Sequence, residues 1–237
     1  MYQTHPVFET PSRTTTIWRY MSFSKFVWLL AKESLYFSRL DQHSDAWEGL
    51  LPQNWGTEVK KYARFNLYVN CWHMNSNESD AMWKLYGATT GETVAIKTTV
   101  GRLIKALEAS PIPVYIGRMR YDERDRPQDC LYWPVTCKRK PFRHEKELRL
   151  CVSSPSGDNP PDLSQLKKAF VPLGLDKKSD MEILKEIGEK GIPVRINVNY
   201  LIPEVIVCPD SQPSLFDSLE YILMKEVPHA RIKRSLI

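Results

Sequence analysis

The sequence predicts an α+β protein built on a mixed, mostly antiparallel split sheet with flanking helices. Three observations carry this. β-Branched and aromatic runs intermix with amphipathic ones, without the regular strand–helix–strand rhythm of a parallel sheet. Neither GxGxxG nor GxxxxGKS/T occurs, so the glycine-rich phosphate loops that open doubly wound folds have no counterpart here. A length of 237 residues, 42% of them hydrophobic, is enough for one large core or two small ones.

Residues 1–13 read as an arm, because Pro6 and Pro11 break any regular element, and residues 14–237 as a single α+β domain. TTTIWRYMS (14–22) is β-branched and aromatic, a first strand. Ser24 is placed to cap the helix that follows, where Phe26, Leu29 and Leu30 fall at i, i+3 and i+4. LYFSR (35–39) is a short strand, followed by a polar turn and DAWEG (45–49). FNLYVNCWHM (65–74) is a strong strand, and NSNESDAMWKLYG a short helix that Gly87 ends. TVAIKTTV (93–100) is a strand, GRLIKALEAS a helix stopped by Pro111 and Pro113, and PVYIGRMRY (113–121) another strand. DERDRPQD (122–129) and SSPSGDNPPD (153–162) are loops, and residues 163–190 form a charged, helical segment. IPVRINVNYLIPEVIVCPD (192–210) reads as two strands around a short turn. The helix SLFDSLEYILMKEV and the strand ARIKRSL close the chain.

The net charge is +5 and the isoelectric point near 8.9, which suits a phosphate-bearing ligand or nucleic acid without requiring one. Seven Trp and eleven Tyr exceed what packing needs, a pattern often met in pockets and interfaces. The five cysteines (71, 130, 137, 151, 208) are odd in number, scattered and without a CxxC pair, which argues against zinc. With no apolar leader, that usage points to a reducing cytoplasm. No run approaches the ~18 apolar residues of a membrane span, so the chain is expected to be soluble and to have no membrane partner.

The most informative stretch is KPFRHEKELRLCV (140–152). It sets Glu145 and Glu147 two residues apart among Lys and Arg, at the mouth of an apolar strand. Such carboxylates form either a solvated strand entrance or a catalytic site. Other chemistries find less support. The histidines at 5, 43, 73, 144 and 229 make no HxH or HExxH pair, so no metal site is expected. A magnesium nuclease would draw on Asp122 and Asp125 with Glu145 or Glu147, but no clean Glu-x-Lys stands on a strand. No GxSxG occurs, and Cys71 with His73 is the single thiol–imidazole pair on one strand face. An enzyme that displaces nicotinamide from NAD passes through an oxocarbenium-like ribosyl centre and needs a carboxylate near the ribose hydroxyls. It also needs a polar residue on the first strand and aromatic walls. Trp18, Arg19 and Tyr20, then Ser38, then Glu147 supply that set. Each has a plainer alternative: Arg19 as a surface strand residue, Ser38 as a strand-end cap, Glu147 as a cross-strand ion-pair partner.

Taken together, WRYMSFSKFVWLLAKESLYFS, SDAWEG, CWHMNSNESDAMWKLYG with VAIKTT, and FRHEKELRL resemble a large bacterial family, domain of unknown function twenty-nine seventy-one. The similarity covers most of residues 17–150 and continues through LIPEVIVCPD. More distantly, the first strand, helix and serine, and the late Glu147-Leu-Arg-Leu-Cys-Val block, resemble ADP-ribosyltransferases of the DNA-modifying toxin type. That resemblance implies the ADP-ribosyltransferase fold, with NAD bound as a substrate and ADP-ribose transferred to a macromolecule such as nucleic acid. The setting it implies is antiphage defence or a toxin system, with a protein partner there.

On this alignment Glu147 falls on the catalytic glutamate, and Glu145 beside it is the candidate to orient the acceptor. Arg19 stands where many relatives have His, and Ser38 matches the serine after the first helix. Arg19, Tyr20, Ser38 and Tyr86 are then the cofactor-binding residues, the middle motif falling on either Tyr86 or Thr98-Thr99. Two other functions remain open. One is a non-catalytic module that binds nucleic acid or protein through Arg139, Lys140 and Arg143, with Arg231, Lys233 and Arg234 near the C-terminus. The other is a metal-dependent nuclease.

Overall fold

Thr16–Ser22 (β2) and Thr93–Thr99 (β5) are the β-branched and aromatic runs picked out in the sequence, and they pair antiparallel in continuous register from Thr16↔Thr99 to Ser22↔Thr93. They belong to a computed structural model that describes residues 1–42, 67–87, 92–121, 132, 135–153 and 191–237. DAWEG (45–49), the loops at 122–129 and 153–162 (beyond Ser153) and the helical expectation at 163–190 lie outside the described residues. The fold is α+β, with mixed, mostly antiparallel strand pairing and several helices.

The chain divides into two compact units. The first comprises Met1–Thr10, Leu35–Cys71 and Ser110–Arg195; the second comprises Pro11–Ser34, Trp72–Ala109 and Ile196–Ile237.

In the first unit, β1 (Tyr2–Gln3) runs parallel to β6 (Val114–Arg118), and β6 pairs antiparallel with β7 (Glu147–Ser153). β7 lies beside β4 (Leu67–Met74), which contributes residues up to Cys71. β3 (Ser34–Arg39) pairs antiparallel with β4 and also with β8 (Ile192–Arg195). The expected arm is packed along β6. The Met1 ammonium donates to the carbonyls of Ser110 and Ile112, Thr10 Oγ1 donates to the Ile116 carbonyl, and Val7 and Phe8 are buried. Gly117 permits this approach. A Cβ there would lie 3.0 Å from Phe8 Cδ1, 3.1 Å from Phe8 Cα and 3.2 Å from the Glu9 nitrogen.

In the second unit, β2 pairs with the end of β4 on one side and with β5 on the other. β5 pairs antiparallel with β9 (Glu204–Val207), which runs parallel to β10 (Arg231–Arg234). Helix α1 (Phe23–Lys32) buries Phe26, Leu29 and Leu30, as their spacing predicts. Its cap is Ser22 and not Ser24: Ser22 keeps extended backbone as the last residue of β2, and its hydroxyl accepts from the Lys25 amide. α2 (Asp80–Gly87) ends at Gly87 as expected, and α3 (Val100–Ala106) is capped by Thr99.

The reading of residues 192–210 as two strands around a turn is corrected in one respect. Asn197 Oδ1 accepts from the amides of Asn199 and Tyr200, which starts a one-turn helix, α4 (Val198–Leu201), between β8 and β9. The two strands take other partners, β8 pairing with β3 and β9 with β5. α5 (Pro213–Glu226) follows, burying Leu215, Leu219 and Leu223.

Gly117→Ala should destabilise the protein by about 1–3 kcal/mol, because the added methyl meets the backbone of Phe8 and Glu9 as well as the buried Phe8 ring. Chemical denaturation with unchanged m-value checks this. Stability equal to wild type would show that the N-terminal segment yields.

Candidate functional site

Strand alternation puts Glu147, Arg149 and Cys151 on one face of β7 and Leu148, Leu150 and Val152 on the other, and all six are buried. The Cys151 face packs against Val7, Phe8, Leu40, Leu67, Val69 and Val135. A carboxylate and a guanidinium are thus carried into an apolar interior, where each needs a partner. Arg149 Nε donates to Glu147 Oε1 at 2.6 Å, and Lys138 Nζ donates to Glu147 Oε2 at 3.2 Å. Lys138 Nζ also donates to Glu145 Oε2 at 2.6 Å, and the Cys71 thiol bonds the Glu147 carboxylate. The Glu147 amide donates to the Tyr121 hydroxyl at 2.8 Å. Burial pushes the Glu147 carboxyl up, but the Arg149 and Lys138 cations, with hydrogen bonds from Arg149 and Cys71, outweigh it and hold the group below the usual carboxylate range. Burial, reinforced by the Glu147 and Glu145 charges, pushes the Tyr121 hydroxyl well up, so it stays protonated. The cluster pairs two carboxylates with two cations.

Between Lys138 and Glu147 the chain makes a 3₁₀ turn, Lys140–Glu145, with Pro141 near its start and Lys146 closing it in the left-handed region at φ 40°. Lys138 and Arg139 lie over the Phe142 ring, 5.0 and 5.2 Å from its centroid. Both carboxylates of the segment are committed inward, while Lys140, Arg143, His144 and Lys146 are exposed. The outward charge of the turn is therefore positive.

The remaining predicted residues occupy other surroundings. In the first unit Ser38, on β3, donates to the Val69 carbonyl at 3.4 Å, a strand-edge contact. Arg19, Tyr20 and Tyr86 belong to the second unit. Tyr20 is buried at 3% exposure, its ring stacked between Trp18 and Tyr86, with centroids 6.1 and 6.3 Å away, and met edge-on by Trp83 at 4.8 Å. Its hydroxyl accepts from the Ser79 amide at 3.0 Å and is pushed up to about 12, chiefly by burial. Tyr86 is 40% exposed. Alternation along β2 turns Arg19 to the face opposite Trp18 and Tyr20, where its guanidinium lies 5.8 Å from the Trp72 ring centroid. The structure thus brings Glu145 and Glu147 together, and Tyr20 and Tyr86 together, but does not put Arg19 beside the two tyrosines. Of the alternatives for the middle motif, Thr98 is buried and Thr99 caps α3.

No protein-family model matches the chain, and no curated protein matches it. The chemistry must therefore be read from the residues alone. Among the described residues, no three His, Cys, Asp or Glu side chains lie close enough to hold a metal ion; Asp122 and Asp125 lie outside them. Among the same residues, no helix is long and apolar enough to cross a membrane. Arg149 is one of the two partners, with Arg143, that the charge pattern offers these carboxylates, and the structure takes Arg149; Lys138, Tyr121 and Cys71 carry no such signal in the sequence. The local signal for Arg149 is its place two residues on from Glu147 and so on the same strand face.

Because the Glu147 carboxyl is held below its unfolded value, its contribution to stability is present above that value. It is lost as pH falls through the folded one. Glu147→Gln should cost about 3–5 kcal/mol near pH 7, since it leaves Arg149 and Lys138 buried without the balancing charge. The gap to wild type should narrow below about pH 4.3, the ordinary glutamate value. Glu145→Gln, at the more exposed end of the cluster, should cost about 1 kcal/mol. Urea midpoints at pH 7 and pH 3 check all three statements, and a pH-independent gap would remove the charge from the explanation.

Proposed function

We propose that the chain binds nucleic acid through the basic turn of residues 139–146, with Glu147 as the buried ionic anchor that holds the turn in shape. The observation that carries this is the inward pairing of both carboxylates with Lys138 and Arg149, which leaves Lys140, Arg143 and Lys146 as an exposed, positively charged set beside Arg139. Guanidinium groups take phosphate oxygens bidentately and lysines take them as point charges. A short turn with a proline near its start and an internal ion pair loses little freedom on binding, so more of the contact energy appears as affinity. The net charge of +5 favours the same class of partner.

A second function is supported by the state of Glu147 and by the resemblance to ADP-ribosyltransferases. A carboxylate held ionised at a strand start is what stabilisation of a ribosyl cation from NAD requires. Both of its oxygens are bonded to cations, so reaching a ribose hydroxyl demands that Lys138 or Arg149 give way. For that reason nucleic-acid binding without transfer is preferred.

Two measurements separate these functions. Lys140→Ala with Arg143→Ala should weaken binding of a short oligonucleotide and reduce the slope of log K against log salt by about 1.4–1.8, the release expected from two phosphate contacts. An unchanged slope would remove the turn from the interface. Nicotinamide release from NAD, with nucleic acid supplied as acceptor, should be undetectable in wild type. Nicotinamide release with ADP-ribose appearing on the nucleic acid, both abolished in Glu147→Gln at a temperature where that variant remains folded, would establish transfer instead.

A further inference from the structure

The second unit carries a cluster that neither the basic turn nor Glu147 involves. Strand register places His73, Trp18, Lys97, Glu204 and Arg231 in one row across β4, β2, β5, β9 and β10, hence on one face. The neighbouring row holds Tyr20, Ala95, Ile206 and Lys233. Met82 and Trp83 of α2 cover Trp18, Tyr20, Ala95 and Ile206. Toward β10 the rows end in Glu204, Arg231 and Lys233. Glu204 is buried at 6% exposure. Lys233 Nζ lies 2.5 Å from its Oε1, Lys97 Nζ 3.8 Å from its Oε2, and Arg231 Nε 4.0 Å from its Oε1. One buried carboxylate thus gathers three cations whose side chains are 38%, 56% and 73% exposed for Lys97, Lys233 and Arg231.

The charge count decides what such a cluster can do. Three like charges, one on β5 and two on β10 with β9 between them, repel one another, and the Glu204 carboxylate they share neutralises only one. Two positive charges remain, carried by partly exposed side chains with more N–H groups than Glu204 can take. Lys97 is further held by the Trp18 ring, its ammonium 5.0 Å from the centroid. Glu204 and Trp18 keep the cations close together before any ligand arrives, which lowers the ordering cost of binding. A dianion matches the surplus.

We infer that Lys97, Arg231 and Lys233, assembled around Glu204, form a binding site for a phosphate group carrying two negative charges, as inorganic phosphate or as the terminal phosphate of a nucleic acid. This site is independent of the basic turn.

The test is isothermal titration of the full chain with inorganic phosphate, and with an oligonucleotide bearing or lacking a 5′-phosphate. Wild type should bind inorganic phosphate, and Lys97→Met or Lys233→Gln should each weaken it about tenfold or more, the usual loss for a charge-assisted hydrogen bond. The basic turn is tested separately, by the salt slope with the oligonucleotide lacking a 5′-phosphate, so failure of that turn as an interface is distinguishable from failure of this site. Tighter binding of the 5′-phosphorylated oligonucleotide, lost in Lys233→Gln, assigns the ligand to a nucleic-acid end; equal binding of the two, with inorganic phosphate still bound, assigns it to the free anion. No heat with phosphate at millimolar concentration, or affinity undiminished in both variants with melting temperatures near wild type, would reduce the cluster to a solvated ion-pair network and overturn the inference.

Discussion

Two opposite charges two residues apart on a strand buried on both faces constrain everything around them. Glu147 and Arg149 share a face of β7, and their own ion pair satisfies only part of what a carboxylate and a guanidinium require away from water. Around Glu147 the chain adds three further groups: Lys138 from before the turn, Cys71 from β4, and Tyr121 at the backbone amide of Glu147. Lys138 is the hinge of the arrangement because it also binds Glu145, so the ends of residues 138–147 are tied through one ammonium. The shape of the basic turn is therefore set from inside, and its outward charge follows from which side chains that interior pairing leaves over.

The second unit solves the opposite problem. Its shared face is aromatic, with Trp18 and Tyr20 under α2, and polar atoms are met individually: the Trp18 indole donates to the Asn75 carbonyl and the Trp83 indole to Glu78. A cluster of charges gathers where this cover ends, at Lys97, Glu204 and β10. The tyrosine and tryptophan content that suggested a pocket is here substantially spent on packing, since Trp18, Tyr20, Tyr68, Trp72 and Trp83 are all buried.

Local chemistry made much of the fold legible in the sequence. β2, β5 and β7 are runs whose β-branched, aromatic or aliphatic content has few other uses, and α1 shows its buried stripe at helical spacing. What escaped depends on distant partners. Ser22 and Ser24 are equally good caps by type; only the pairing of Ser22 with Thr93 fixes it as the last extended residue. β8 and β9 are legible as two strands near in sequence, but nothing local says that β8 pairs with β3 and β9 with β5. Alternating Glu and Arg look the same on a solvated strand and on a buried one. Telling them apart required knowing that residues 7 and 8 pack over that face, and no periodicity near position 147 carries that information.

The site illustrates why a perturbed carboxyl is an ambiguous sign of function. A glutamate that stabilises a developing cation must be ionised, preorganised and able to face the reacting centre. Glu147 meets the first two conditions, but the agents that ionise it are the ones that occupy it. Arg149 and Lys138 outweigh the desolvation that would otherwise neutralise the group, and in doing so they take both oxygens. Moving either cation to admit a ribose would expose Glu147 to the full cost of its own burial, several kcal/mol on the scale of buried ions, at the moment when its charge is needed. A substrate would have to return that energy through contacts of its own. A structural anchor has no such debt, because its pairing is complete in the resting state. The same two cations that make Glu147 look catalytic by charge make it stable as architecture, and the surface left by that pairing is basic.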